Sequence, residues 1–148
     1  MNTIGVLIDT DISIQLFAVF AILSYYFDNK CVDYKFYVRE DAKPNTMFWD
    51  TIFSNISSKV CIYNTNLKVY RMALNYVYEE IPVFPDDTIF DGYFRSPKYF
   101  AHNIEKIKSL LGFEEKINNV LAKYPEYSMN KTIVIQQLVT PTEKKNET

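Results

Sequence analysis

Apolar residues in this chain gather in short runs and stripes separated by polar breaks, and the spacing within each run separates strands from helices. Ile4 to Ile8 is a β-branched run closed by Asp9, Thr10 and Asp11, the pattern of a strand buried on both faces. Ile14 to Tyr26 is almost continuously apolar and stops at Asp28, Asn29 and Lys30. That pattern predicts a helix packed on more than one side, with Asp11 or Ser13 as its cap. Asp33 to Val38 alternates, with Tyr34, Phe36 and Val38 on one face and Asp33, Lys35 and Tyr37 on the other, so a second strand follows.

Pro44 and Asn45 mark a turn. Thr46 to Ile56 spaces Phe48, Ile52, Phe53 and Ile56 as one helical face, with Thr46 as the cap, and Val60 to Tyr63 is a short strand. Lys68 to Glu80 suits either period and reads as a mixed connection. Thr88 to Phe94 returns to strand, and Gly92 within it suggests a bulge or a close backbone approach. Ser96-Pro97 then opens a helix carrying Phe100, Ile104, Ile107 and Leu111 on one face, and Gly112 closes it. A further stripe of Ile117, Val120, Leu121 and Tyr124 ends near Pro125. Thr132 to Ile135 is a last strand, and the residues from Pro141 onward are too polar to bury anything.

Alternating strands and helices predict an α/β fold, a Rossmann-like, mostly parallel sheet with helices on both faces. It should form one domain over residues 1–138, with a polar tail over 139–148. Such sheets hold ligands at the carboxyl ends of their strands, which here means Asp9 to Ser13, the segment after Val38, and Asp91 to Ser96.

Composition narrows the function classes. The 148 residues are 48% apolar and 23% charged, the balance of a globular protein with a sizeable core. Net charge is −2 and the basic residues are scattered, which argues against a nucleic-acid partner or a basic membrane surface. The apolar stretch Ile14 to Phe27 is shorter than the roughly 20 residues of a membrane span. Asp9 and Asp11 stand where a signal peptide would be positive, so an intracellular location is expected. Cys31 and Cys61 lack a CxxC spacing and His102 is the sole histidine, so no zinc site or disulfide framework is indicated, and His102 reads as a surface helix residue.

The stretch Asp91-Gly92-Tyr93-Phe94-Arg95-Ser96-Pro97-Lys98-Tyr99-Phe100 resembles the DGYFQSEKYF segment of the alpha-1,2-fucosyltransferases, glycosyltransferase family 11, at eight of ten positions. Phe48 to Asn55 is similar to that family's YWDTIFKNL helix. Gln15-Leu16-Phe17, with Phe20, Ala21 and Tyr25, resembles the helix after its GGLGNQLF loop. The order agrees from about Ile4 to Ile135. The resemblance implies the amino-terminal half of a GT-B glycosyltransferase. The family reaction moves fucose from GDP-fucose to a galactose hydroxyl with inversion, without a metal, and GDP-fucose is a substrate rather than a resident cofactor.

Two departures shape the expectation. The family's glycine-rich loop falls on Thr10 to Ile14, where side chains would obstruct backbone amides from approaching a diphosphate and Asp11 would repel it. After Ile135 the chain reads Gln136, Gln137 and Leu138 where the family has HxRxGDY, whose arginine can clasp the donor's diphosphate. We therefore expect a truncated or degenerate transferase domain, inactive alone and without a catalytic residue. The alternative is a non-catalytic binding or assembly module that keeps the fold and forms a homodimer through an uncovered apolar face. Candidate donor- or acceptor-binding residues are Gln15, Asp91, Tyr93 and Arg95, for a nucleotide sugar or glycan. The competing structural roles are a local Asp91–Arg95 pair, packing for the aromatics, and a solvated or capping Gln15.

Overall fold

A computed structural model describes residues 2–8, 12–30, 32–40, 46–63, 66–72, 76–84 and 86–129. Five strands, β1 (Asn2–Leu7), β2 (Val32–Val38), β3 (Val60–Ile62), β4 (Lys68–Arg71) and β5 (Thr88–Asp91), form one sheet in the order β3-β2-β1-β5-β4. Every neighbouring pair is parallel, so with its helices the chain has the α/β, Rossmann-like arrangement that alternation predicts. The chain winds outward from β1 to β3 and then returns on the other side through β4 and β5. The topological switch point therefore lies between β1 and β5, with Gly5 of β1 level with Lys35 and with Ile89. By its contacts the chain divides into two compact units, residues 1–116 and 117–148, and the sheet belongs to the first.

The helix α1 (Ile12–Asp28) is the interior element. Ala18, Val19, Ala21, Ile22, Leu23, Ser24 and Tyr25 are all buried, so the near-continuous apolar run is explained by cover on two sides. The sheet strands β1 and β2 cover one side, and α3 (Ile104–Leu110) with the 3-10 turns before it cover another. At about 1.5–3 kcal/mol for each fully buried aliphatic side chain, this helix supplies a large share of the driving force for the first unit. Ser13 falls inside α1 rather than before it, so it is not the cap, and Asp11 lies outside the described residues.

The helix expected over Thr46 to Ile56 breaks in two. A single turn, α2 (Thr46–Trp49), is followed by a 3-10 helix over Ser54–Lys59. Phe53 N–H reaches back to Phe48 O at 2.9 Å, and the Ser54 hydroxyl donates to Thr51 O at 2.9 Å, where it competes with regular helical bonding. Most of the buried face survives the change in backbone, although Ile52 is exposed: rings run from Phe36 to Trp49 at 5.1 Å and on to Phe53 at 4.9 Å.

Ser96 accepts from Lys98 N–H at 3.4 Å with Pro97 next to it, as the sequence predicts. The helix that follows is not continuous: it is two 3-10 turns, Pro97–Tyr99 and Ala101–Asn103, and then α3. Phe100 leaves helical geometry at φ −140°, and its ring packs on Phe17 and Phe20 of α1. Gly112 ends α3 at φ +66°, a conformation that suits glycine. Lys116, in α4 (Phe113–Lys123), donates to Leu111 O at 2.6 Å and to Ile52 O at 2.9 Å. Burial pushes its ammonium pKa down, against the opposing pull of Glu115. A short α5 (Glu126–Met129) lies in the second unit.

β5 ends at Asp91, earlier than the Thr88 to Phe94 pattern suggests, and three residues further on Phe94 takes φ +50°. Gly92 marks the close approach expected of it: a Cβ there would sit 3.1 Å from the Met72 Cβ. The ambiguous Lys68 to Glu80 segment resolves into the short strand β4 and a coil. The turn at Pro44 and Asn45, Cys31, the Thr132 to Ile135 strand and the tail over 139–148 lie outside the described residues. No described helix is long and apolar enough to cross a membrane.

Two packing features yield predictions. A Cβ at Gly5 would fall 2.4 Å from the Tyr37 ring and 2.8 Å from Lys35 O, so the centre of β1 has room for hydrogen only. We expect Gly5→Ala to cost about 2 kcal/mol or more by urea unfolding, an overpacking penalty that relaxation of one ring would not remove. Asp33 accepts from Lys59 Nζ at 2.8 and 3.0 Å, and that ammonium holds its carboxyl below the ordinary range. Because the folded value is the lower one, the contribution is complete above the unfolded Asp value of about 3.9 and is lost as pH falls through the folded one. Asp33→Asn should therefore be less stable than the parent at neutral pH, by about 1 kcal/mol or less. The two proteins should converge in stability as acid titrates the carboxylate.

Candidate functional site

The candidate site lies at the carboxyl ends of β4 and β5, with the coil that follows β4, on one side of the switch point. Register sets Arg71, the last residue of β4, opposite Asp91, the last of β5. Their side chains meet, Arg71 Nε lying 3.8 Å from Asp91 Oδ2, with the guanidinium mostly in solvent. Asp91 is thus paired across the ladder to Arg71 rather than locally to Arg95, the pairing weighed from the sequence. Its carbonyl also accepts from Met72 N–H at 2.9 Å, which fixes the end of the strand pair.

Beyond Asp91 the chain turns sharply. Phe94 is buried and held at φ +50°, an unusual conformation for a residue with a Cβ. Its ring is held edge to face against Tyr99 at 5.3 Å, and Tyr99 packs in turn on Tyr78 at 4.8 Å. This turn places Tyr93 and Arg95 side by side. The Arg95 guanidinium carbon lies 5.0 Å from the Tyr93 ring centre and 5.2 Å from that of Tyr76, and its Nη1 donates to the Tyr76 hydroxyl at 3.0 Å. A cation between two aromatic faces, with a carboxylate and a second arginine nearby, is suited to an oxygen-rich ligand.

Three of the four sequence candidates, Asp91, Tyr93 and Arg95, therefore share one strand end. Gln15 does not present itself to solvent: it is 3% exposed and its Oε1 accepts from Trp49 Nε1 at 3.3 Å, a role that ties α1 to α2. Arg71 and Tyr76 were hidden from sequence reasoning inside the ambiguous Lys68 to Glu80 segment, and only the strand register reveals them.

A second polar constellation has no local sequence signal. His102 Nε2 lies 2.8 Å from Asp28 Oδ2 and 3.4 Å from Ser24 Oγ. Asn103 Nδ2 donates to Asp28 Oδ1 at 2.8 Å and to Ser24 Oγ at 2.9 Å. His102 is exposed, as expected of a surface position, but it is anchored. The serine, histidine and aspartate do not form a hydrolase triad. Both Ser24 and Asp28 approach the same imidazole nitrogen, whereas a relay needs one on each, and Ser24 is fully buried. Burial alone would raise the Asp28 carboxyl, but its hydrogen bonds with His102 and Asn103 outweigh that and hold it below the ordinary range.

Among the described residues no group of three or more His, Cys, Asp or Glu side chains could hold a metal ion, and Cys61 is a half-buried free thiol whose burial pushes its pKa up. No protein-family model, curated protein or solved structure matches this chain.

The stacked arginine is separable from the fold. Arg95→Gln should change thermal stability by no more than about 1 kcal/mol, the scale of an exposed cation–π contact. Circular dichroism melts of the two proteins should nearly superimpose.

Proposed function

We propose that the chain is a fucosyltransferase-like glycosyltransferase domain that binds a nucleotide sugar or glycan at the carboxyl end of β5, works inside the cell, and does not complete transfer alone. The observation that carries this reading is the Arg95 guanidinium, seated between Tyr93 and Tyr76 on the stretch that resembles the fucosyltransferase segment. Arginine carries five N–H donors in a planar fork, and one bond to Tyr76 leaves others for phosphate or hydroxyl oxygens. The tyrosine faces suit the C–H face of a sugar ring, Asp91 offers an acceptor for hydroxyls, and Arg71 adds positive charge for a diphosphate.

Binding, rather than catalysis, is what these groups support. Gln15, the residue of the first helix that the resemblance singles out, spends its carbonyl on Trp49. We assign no catalytic residue, and the donor in this reading is GDP-fucose.

A second reading, an assembly module that keeps the fold and pairs with a second copy, draws on the outermost strand. β4 is exposed at all four residues, including Val69 and Tyr70, so the sheet has an uncovered edge there.

Calorimetric titration with GDP-fucose, GDP and lactose separates the two. Binding of at least one ligand near or tighter than a Kd of about 1 mM, roughly 4 kcal/mol, and weakened about tenfold in Arg95→Gln, is the expected result. No heat from any ligand, on a folded chain that sediments as a dimer, would favour the assembly module instead.

A further inference from the structure

A cavity of about 240 Å³ opens beside the far half of α1. Because α1 leads from the carboxyl end of β1 to the start of β2, its last residues lie towards the amino end of the sheet, while the opposite wall, with Tyr78, Lys98 and Tyr99, adjoins the turn that carries Arg95. The walls come from three separate stretches: Tyr25 and Asp28 of α1, Tyr78 and Glu80 of the coil after β4, and Lys98, Tyr99 and His102 of the 3-10 turns.

One wall is rigidly built. Asn103, 3% exposed, and Ser24, fully buried, are not themselves in the lining but hold Asp28 and His102, which are. The Asn103 amide donates to Ser24 O at 3.2 Å, to Ser24 Oγ at 2.9 Å and to Asp28 Oδ1 at 2.8 Å, while His102 engages the other carboxylate oxygen at 2.8 Å. A buried amide that orients a half-exposed carboxylate fixes an acceptor in advance, which lowers the ordering cost of binding to it. The tyrosines are anchored as well: Tyr25 OH donates to Pro82 O at 3.0 Å, and Tyr99 OH accepts from Glu79 N–H at 2.9 Å.

The chemistry of the lining selects a ligand class. Two carboxylates, Asp28 and Glu80, disfavour phosphate and other anions. Lys98, whose ammonium already lies 6.0 Å from the Tyr78 ring centre, competes with any incoming cation for the aromatic face. What remains is a neutral molecule that can donate to the carboxylates, accept from Lys98 and lay a C–H face on tyrosine, and the cavity holds a single ring of that kind.

We propose that this cavity is a second binding site, distinct from the β5 edge, for a neutral polyhydroxyl ring of monosaccharide size. The proposal does not rest on the reading of Arg95, and the controls keep the two apart.

Protein-detected NMR titration of the full chain with D-galactose, L-fucose and myo-inositol tests it, with choline and inorganic phosphate as charged probes. The expected result is saturable shifts of the amides of residues 25–29, 78–83 and 98–103 with at least one neutral ring, at a Kd of about 1–10 mM. Lys98→Met and Glu80→Gln, both at exposed positions, should each weaken it at least about threefold, and Arg95→Gln should leave it unchanged. Asp28→Asn should weaken it most. If that variant fails to fold, the Lys98 and Glu80 variants decide the matter. Shifts that never saturate, shifts produced by choline or phosphate alone, or neutral-ring shifts lost in Arg95→Gln but retained in the Lys98 and Glu80 variants would each overturn the proposal.

Discussion

Everything in the first unit is arranged around a helix with almost no face left for water. From Ala18 to Tyr25, α1 shows buried side chains around its circumference, so it is stable only while both the sheet and the turns before α3 cover it. That requirement explains the well-satisfied polar seam where α1 meets the turns before α3. Ser24 is buried where the turns meet α1, and an apolar contact there would strand its hydroxyl. Asn103 meets both the hydroxyl and the backbone carbonyl of Ser24 and continues to Asp28. A buried hydroxyl without such a partner would cost on the order of 1–3 kcal/mol, so the amide also specifies where the turns must land.

All the strands but β4, which lies inside the ambiguous Lys68 to Glu80 segment, were legible because each carries its own evidence. Ile4 to Ile8 and Asp33 to Val38 can be read from period alone, and the parallel sheet follows from their alternation with helices. The helices were legible as faces more than as backbone. Phe53 and Ile56 reach the core as their spacing implies, with Trp49 beside them, but Ile52 of the same predicted face is exposed. The bond from Phe53 N–H five residues back to Phe48 O and the Ser54 hydroxyl on Thr51 O interrupt the α-helix before the 3-10 helix begins. Phe100 similarly breaks a pattern that looked continuous, because its ring is drawn to Phe17 and Phe20. At Phe100 a tertiary contact outcompetes helical propensity, and no window of sequence contains that contact, whereas within Thr46 to Ile56 the competing bonds are local.

The candidate site divides along the same line. Asp91, Tyr93 and Arg95 are neighbours in the chain and could be nominated together. Arg71 and Tyr76 join them only because β4 pairs with β5, a pairing set by register rather than by any motif. Gln15 was nominated by resemblance, and the tryptophan that occupies its carbonyl is 34 residues away. The Asp28 and His102 pair is separated by 74 residues, so it is a product of the fold rather than of the sequence pattern.

The contact between Gly5 and Tyr37 has a consequence for how such a chain can change over generations. Tyr37 is buried, its phenol pushed up to about 12 chiefly by that burial, with Cys61 and Asp87 adding to it, and its ring fills the space that a side chain on β1 would need. The two positions therefore form one unit with a direction. A smaller residue can replace Tyr37 while glycine remains, leaving a gap that costs stability, but Lys35 O would still lie 2.8 Å from a Cβ at position 5. The reverse order passes through both clashes. Among sequences descended from this one, a side chain at position 5 should occur only where the ring has gone and the β2 backbone has shifted as well.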